Sequence, residues 1–79
     1  MIHGYCTTNL DEGRRYKWPN QFVAVPREGE WVQSVDDHYY YLKVIKVTHC
    51  MVYDPNDFPS DGSARRLVPG IKVELNRIV

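Results

Sequence analysis

The sequence carries no net charge that would attract a charged partner. Its 79 residues include ten basic and ten acidic side chains, so the formal net charge is zero. A protein that binds nucleic acid or an anionic membrane by general electrostatic attraction needs an excess of positive charge. Binding of that kind is excluded for the chain as a whole, and any such contact would require a local basic patch.

Long apolar runs and a leader segment are also missing. No window approaches the roughly 18 consecutive apolar residues of a membrane-spanning helix. The first residues, Met1–Cys6, contain neither the basic region nor the apolar run of a secretory signal peptide. We therefore expect a cytoplasmic protein with no membrane partner.

Cysteine is scarce, with Cys6 and Cys50 as its two occurrences. Small secreted domains that rely on disulfides carry several cysteines at regular spacings, so a disulfide scaffold is not expected. Two buried thiols in a reducing cytosol are the favoured interpretation, and a single bridge between Cys6 and Cys50 is the alternative.

What the chain does contain is enough apolar surface for one small core. Apolar residues make up 43% of the sequence and aromatic residues 13%, which is typical of a globular domain. No internal repeat or low-complexity segment divides it. Residues 1–79 are therefore predicted to form a single domain.

The longest extended stretch is Tyr39–Cys50, in the middle of the chain. Three tyrosines precede β-branched and other apolar residues without any glycine or proline, and this composition favours a β-strand. The inward face switches along it, from Leu42 and Val44 to Ile45 and Val47. Because a bulge shifts the alternation by one residue, we predict a β-bulge between Val44 and Ile45 that bends the strand.

Two further stretches complete the predicted sheet. Trp31–Val35 leads through a short polar turn into the central strand, which predicts a hairpin. Ile71–Val79 alternates so that Ile71, Val73 and Leu75 point into the core. This C-terminal strand is also expected to offer a free edge for pairing with a second copy of the chain.

The connections between these strands are rich in turn residues. Residues 53–70 contain three prolines and two glycines, which predicts a long loop. Arg14–Trp18 is predicted as the return strand of a hairpin, with a short helix over Asp11–Lys17 as the alternative. The pattern as a whole predicts a mostly β fold, a single small antiparallel SH3-like barrel of about five strands with little helix, or alternatively an OB-like barrel.

Three segments resemble a recurring type of small bacterial and phage protein, namely Val25–Val32, Leu42–His49 and Val73–Leu75. In such proteins a proline, a glycine and an acidic residue open one strand. A strand of tyrosine, basic, two aliphatic, basic, aliphatic and histidine residues follows, and Leu42 stands where that tyrosine is usual. The resemblance implies an SH3-like β-barrel of microbial origin, and it transfers no catalytic residue.

Aromatic residues outnumber what so small a core can hold, so some of them are expected at the surface. Exposed Tyr and Trp are enriched at protein interfaces, which predicts a non-catalytic protein-interaction or structural accessory module. The predicted contact residues are Trp18, Tyr39, Tyr40, Tyr41 and Phe58, together with the loop 53–70. The expected partner is a protein, and a second copy forming a homodimer is one candidate. The alternative is that the tyrosine hydroxyls simply reach water from the barrel rim.

A basic and aromatic cluster supports a second hypothesis, a small nucleic-acid-binding barrel. Its members are Arg14, Arg15, Lys17 and Trp18, extended by Arg65 and Arg66. Basic side chains can hold phosphates while aromatic rings stack on bases. The competing explanation is a solvated charged face with Trp18 packed on the barrel, because Asp11 and Glu12 adjoin the cluster.

The spacing of histidines and cysteines does not favour metal or catalytic chemistry. Zinc sites use paired ligands such as CxxC or HxxxH, and neither pattern occurs. His49 and Cys50 are neighbours on a predicted strand, so their side chains leave opposite faces and cannot form a thiol–base pair. We therefore predict no metal, no cofactor and no enzymatic activity.

Overall fold

Among the residues that the structure describes, five β-strands and one 3₁₀ turn make up the regular structure. The strands are β1 (Ile2–Thr8), β2 (Gln21–Phe22), β3 (Trp31–Gln33), β4 (Tyr41–Tyr53) and β5 (Leu67–Asn76), and the turn covers Gly13–Arg15. The computed structural model describes residues 1–37, 40–54, 57, 62 and 65–77. Within these residues no helix has the length and apolarity needed to cross a membrane. The predicted mostly β fold of about five strands with little helix is confirmed.

The strands form one curled sheet in the order β2-β1-β5-β4-β3. Three of the four neighbouring pairs are antiparallel, but β1 runs parallel to β5, with Gly4 opposite Ile71 and Cys6 opposite Val73. The sheet is therefore mixed, and the prediction of an antiparallel barrel was wrong for this pair. Local sequence patterns predict strands but not the direction in which distant strands meet.

The order of the strands also decides where the sheet is open. β2 and β3 occupy its two ends. The sheet is curled into a half-barrel, which is compatible with a small SH3-like or OB-like fold. β5 lies between β1 and β4. The prediction that the C-terminal strand offers a free edge is corrected by this central position.

The core lies on the concave face of the curled sheet. Its fully buried members are Leu42, Val44, Ile71, Val73 and Leu75, each at most 1% exposed. Burial of such an aliphatic side chain contributes about 1.5–3 kcal/mol. The alternation predicted for β5, with Ile71, Val73 and Leu75 inward, is confirmed.

A β-bulge interrupts β4 where the change of inward face predicted it. Val44 lies opposite Leu75, and Lys46 lies opposite Glu74, so one extra residue separates the two pairs on β4. Val47 packs against the core as predicted. Ile45 is the extra residue and is 47% exposed, so its predicted inward position was wrong. A bulged residue leaves the regular ladder and can turn outward.

Two segments differ from the structures that their sequences predict, namely the loop 53–70 and Arg14–Trp18. β5 begins at Leu67, so the last part of the predicted 53–70 loop is strand. Proline usually argues against a strand, and Pro69 therefore favoured a loop in the sequence. In the structure Pro69 lies opposite Met51, at a position where the ladder needs no backbone N–H. Arg14–Trp18 contains a 3₁₀ turn in place of the predicted return strand, which is closer to the helical alternative.

Candidate protein-interaction surface

Two of the predicted contact residues help to hold the fold together. The rings of Tyr16 and Tyr40 are stacked with centroids 4.2 Å apart, and the ring of Trp18 lies 5.8 Å from that of Tyr40. Trp18 Nε1 donates a hydrogen bond to the carbonyl of Gly13 at 2.9 Å. Trp18 and Tyr40 are half-buried against the core. Their rings are therefore occupied within the molecule.

The other predicted contact residues divide between the surface and undescribed parts of the chain. Tyr41 is exposed on β4, as the interaction hypothesis requires. Tyr39 and Phe58 lie outside the described residues. Of the aromatic set, Tyr41 is thus the described residue that the structure places at the surface.

The basic residues near the 3₁₀ turn stand among acidic neighbours. Arg14 Nε donates to the carbonyl of Thr8 at 3.2 Å, and its guanidinium lies 3.8 Å from Asp11. The backbone N–H of Lys17 donates to Asp36 Oδ1 at 3.0 Å. Arg15 is exposed. Asp11 thus offsets the charge of Arg14, and Asp36 lies beside the backbone of Lys17.

Arg65 and Arg66 lie at the far end of the β4–β5 hairpin. Arg65 donates through its guanidinium to the carbonyl of Asp54 at 3.1 Å and lies 5.0 Å from the centre of the Tyr53 ring. The N–H of Arg66 donates to Asp57 Oδ2 at 2.8 Å. At about 3.3 Å per residue, roughly 30 Å of strand separates this end of β4 from Val44. The structure does not bring the six predicted nucleic-acid-binding residues together, because Arg14 lies near the Val44 end.

A groove lies where the half-barrel is open. It has a volume of about 710 Å³ and is lined by residues 19, 21–27 and 30–35. Most of its lining residues are apolar, among them Phe22, Val25 and Val32. Arg27 and Glu30 also line it, and the N–H of Glu30 donates to the carbonyl of Arg27 at 3.1 Å. We call this feature the edge groove, because β2 and β3 end the sheet on its two sides.

Large apolar side chains are exposed around the edge groove. Val23 is 89% and Trp31 is 53% exposed, and Val35 is exposed as well. Trp31 and Tyr41 together line a small apolar depression on the outer face, and Lys43 Nζ lies 5.3 Å from the centre of the Trp31 ring. Large exposed apolar side chains thus lie both in the lining of the edge groove and beside it.

Sequence reasoning missed Trp31 as a surface residue. A tryptophan beside a valine on a short strand is usually assigned to the core, and here Val32 is the buried one. The signal was available in the hairpin register, because Trp31 pairs with Lys43 and both side chains must point to the same face.

The thiols and histidines do not gather into a metal-binding group within the described part of the chain. Those residues contain no group of three or more potential metal ligands. Cys6 and Cys50 are free thiols, and the Cys6 thiol donates to the carbonyl of Pro19 at 3.4 Å. Burial raises the pKa of Cys6 from 9.0 to about 12. Because the thiolate is the nucleophile and metal ligand, Cys6 is unsuited to either role at neutral pH.

Comparison with protein-family models, with curated proteins and with solved structures found no match to this chain. The resemblance to small bacterial and phage barrels stays a prediction. The assignment of a function therefore rests on the edge groove and on the apolar residues around it.

Proposed function

We propose that this protein is a non-catalytic interaction module that binds an extended, apolar segment of a partner protein along the edge groove. The observation that carries the proposal is the open groove of about 710 Å³ between the two end strands of the sheet. In keeping with the resemblance noted above, we place the module in the cytoplasm of a bacterium or in a phage-infected cell.

Trp31 is the residue of β3 whose backbone can pair with an added strand, because the N–H of Val35 beyond it already donates to the carbonyl of Lys17 at 2.7 Å. The N–H of Val44 donates to Glu30 at 2.9 Å, and the N–H of Ser34 donates to Tyr40 at 3.0 Å. Because successive residues of a strand alternate, the backbone of Trp31 points away from β4 and toward the edge groove. Main-chain hydrogen bonds from an extended peptide give affinity in this mode, and pockets for alternate side chains give specificity.

The side chains around the groove supply the apolar contacts that such a peptide needs. Val23 and Trp31 both line the groove, and both expose more than half of their surface. Tryptophan is enriched among the residues that dominate binding energy, and its loss commonly costs about 2 kcal/mol or more. Trp31 is therefore the expected anchor of the interface.

A displayed library of random peptides provides the test. Peptides selected on the immobilised protein should contain alternating apolar residues, because alternate side chains of an added strand face the groove. Replacement of the anchor, Trp31→Ala, should weaken a selected peptide by about 30-fold, which corresponds to about 2 kcal/mol.

Tyr5→Ala is the matched control, because Tyr5 is an exposed aromatic residue on β1 outside the groove lining. It should change the affinity by less than about twofold. If Trp31→Ala and Tyr5→Ala bind the selected peptides equally well, or if no peptide is enriched, the groove is not the binding surface.

A further inference from the structure

The second half of β4 pairs with a neighbouring strand on one of its two sides. β5 pairs with β4 from Lys43 to Tyr53, whereas β3 pairs with it over Tyr41–Lys43. Within the described part of the chain, no strand pairs with Lys46–Tyr53 on the side away from β5. Long exposed edges are ready templates for pairing with another chain, and natural proteins usually protect them.

The hydrogen-bond pattern shows which residues face this edge. The N–H of Asp54 donates to the carbonyl of Arg66 at 2.8 Å. The backbone N–H and C=O groups of Asp54, and of every second residue before it, therefore point toward β5. Pro69, which has no N–H to donate, lies opposite Met51, in agreement with this alternation. The backbone groups of the intervening residues therefore point to the free edge, and these residues are Val47, His49, Met51 and Tyr53.

We propose that two copies of this chain pair antiparallel through this edge of β4, about a two-fold axis at Cys50. Cys50 is the midpoint of the edge-facing residues, so this register uses all of them. Val47 of each copy then exchanges hydrogen bonds with Tyr53 of the other, and His49 with Met51. About four such pairs form, each exchanging two hydrogen bonds. A shift of the register by two residues in either direction leaves part of the edge unpaired.

Side chains across the axis are complementary in this register. Lys46, which is exposed on β4, comes opposite Asp54 of the second copy, and this charge pair occurs twice. Opposite charges directly across a strand pair are stabilising, and like charges are destabilising. Met51 and Tyr53, 54% and 60% exposed in the single chain, come to lie along the seam between the two copies, Met51 next to the axis and Tyr53 near each end. The charge pair and the exposed apolar residues together identify a second copy as the occupant.

This inference does not depend on the edge groove. The groove is lined by residues 19, 21–27 and 30–35, and the paired edge is formed by residues 46–54, so the two surfaces share no residue. Val25 and His49 line one small depression where the two surfaces adjoin. Loss of peptide binding in Trp31→Ala and loss of self-association in a β4 variant are therefore separate results. Either one can fail while the other stands.

Sedimentation equilibrium of the full chain measures the association, and Met51→Pro is the decisive variant. Proline is tolerated on an edge strand where its missing N–H faces away from the ladder, so the β4–β5 pairing remains. The wild type should sediment at twice the mass of the chain, and Met51→Pro at the mass of one chain. A wild-type protein that stays monomeric, or a dimer that persists in a folded Met51→Pro variant, overturns the proposal.

A charge exchange keeps the proposal testable if Met51→Pro fails to fold. Lys46→Glu alone and Asp54→Lys alone each place like charges opposite one another twice, and each should weaken the dimer at least about threefold. The double variant Lys46→Glu with Asp54→Lys restores both pairs and should restore the affinity. Because Lys46 also lies opposite Glu74 of its own chain, all three variants carry Glu74→Gln, and the same background without other changes is the reference. If the double variant is weaker than both single variants, the register is wrong.

Oxidative crosslinking tests the position of the axis. In the proposed register the two Cys50 residues form a non-hydrogen-bonded pair with Cα atoms about 4.5 Å apart, within the range of a disulfide. With copper phenanthroline as the oxidant, each thiol loses its proton and one electron, and an S–S bond joins the copies. Moving the thiol with Cys50→Ser and Thr48→Cys should abolish the crosslink, because residue 48 faces residue 52 of the other copy. Equal crosslinking of both proteins contradicts the register.

Discussion

Replacing Gly4 with alanine should strongly destabilise the fold, because β1 approaches β5 too closely for a side chain at this position. A Cβ atom on Gly4 would lie 2.7 Å from the carbonyl oxygen of Ile71 and 2.8 Å from its Cγ1. It would also lie 3.2 Å from the ring of Phe22. The nearest obstacle is backbone within the central strand of the sheet, so it cannot move aside without disturbing the ladder.

The expected cost of Gly4→Ala follows from this geometry. Overpacking of a well-filled core typically costs about 1–3 kcal/mol, and obstruction by backbone places this variant at about 3 kcal/mol. For a chain of 79 residues, the total free energy of unfolding is roughly 4–12 kcal/mol. The variant should therefore lose a quarter or more of its stability, and Tm should fall by roughly 12–24 °C.

Urea denaturation followed by tryptophan fluorescence measures this loss. Gly29→Asn serves as the control, because Gly29 has a φ of 91° and a Cβ atom added to it would meet nothing within 4 Å. Asparagine tolerates the left-handed region, so the control should cost about 1 kcal/mol or less. If Gly4→Ala unfolds within about 0.5 kcal/mol of the wild type, the parallel packing of β1 on β5 is refuted.

Three further predictions concern the core, the buried thiol and nucleic acid. Leu42→Ala should lower the free energy of unfolding by about 2–5 kcal/mol, whereas Ile45→Ala at the exposed bulge should lower it by less than about 1 kcal/mol. Urea denaturation of both variants checks this, and equal losses would contradict the bulge. Burial raises the pKa of Cys6 from 9.0 to about 12, so the folded chain retains a proton there that the unfolded chain loses. The contribution of this thiol to stability should be complete below pH 9 and decline as the pH rises toward 12. Denaturation across this range should show a steeper decline for the wild type than for Cys6→Ser, and parallel curves would contradict the burial of the thiol. A filter-binding titration at about 50 mM salt should detect no binding to single-stranded or duplex nucleic acid, because the basic residues are divided between two ends of the molecule. Binding that weakens as the salt concentration rises would instead support the nucleic-acid hypothesis.

Local patterns in the sequence were sufficient to predict the central strands. The switch of the inward face after Val44 predicted the bulge, and the alternation of Ile71, Val73 and Leu75 predicted the core of β5. Both features follow from the two-residue period of a strand, which is written directly in the order of apolar and polar residues.

The arrangement of the sheet could not be obtained in the same way. The parallel contact of β1 with β5 joins residues about 67 positions apart, such as Gly4 and Ile71, and no local pattern encodes it. The candidate binding surface depends on this arrangement, because the positions of β2 and β3 at the two ends create the edge groove. The exposure of Trp31, by contrast, follows from the local β3–β4 hairpin register, in which Trp31 pairs with Lys43.

Mapping of backbone amide chemical shifts tests the account most directly. A peptide selected on the protein should be titrated into the isotopically labelled full chain, and the backbone amide shifts along the chain should be followed. Binding in the edge groove predicts that the largest changes fall in residues 21–27 and 31–35, with Trp31 among them. Changes confined to residues 14–18, or to the distal hairpin around Tyr53 and Leu67, would contradict the central claim that the open side of the half-barrel is the binding surface.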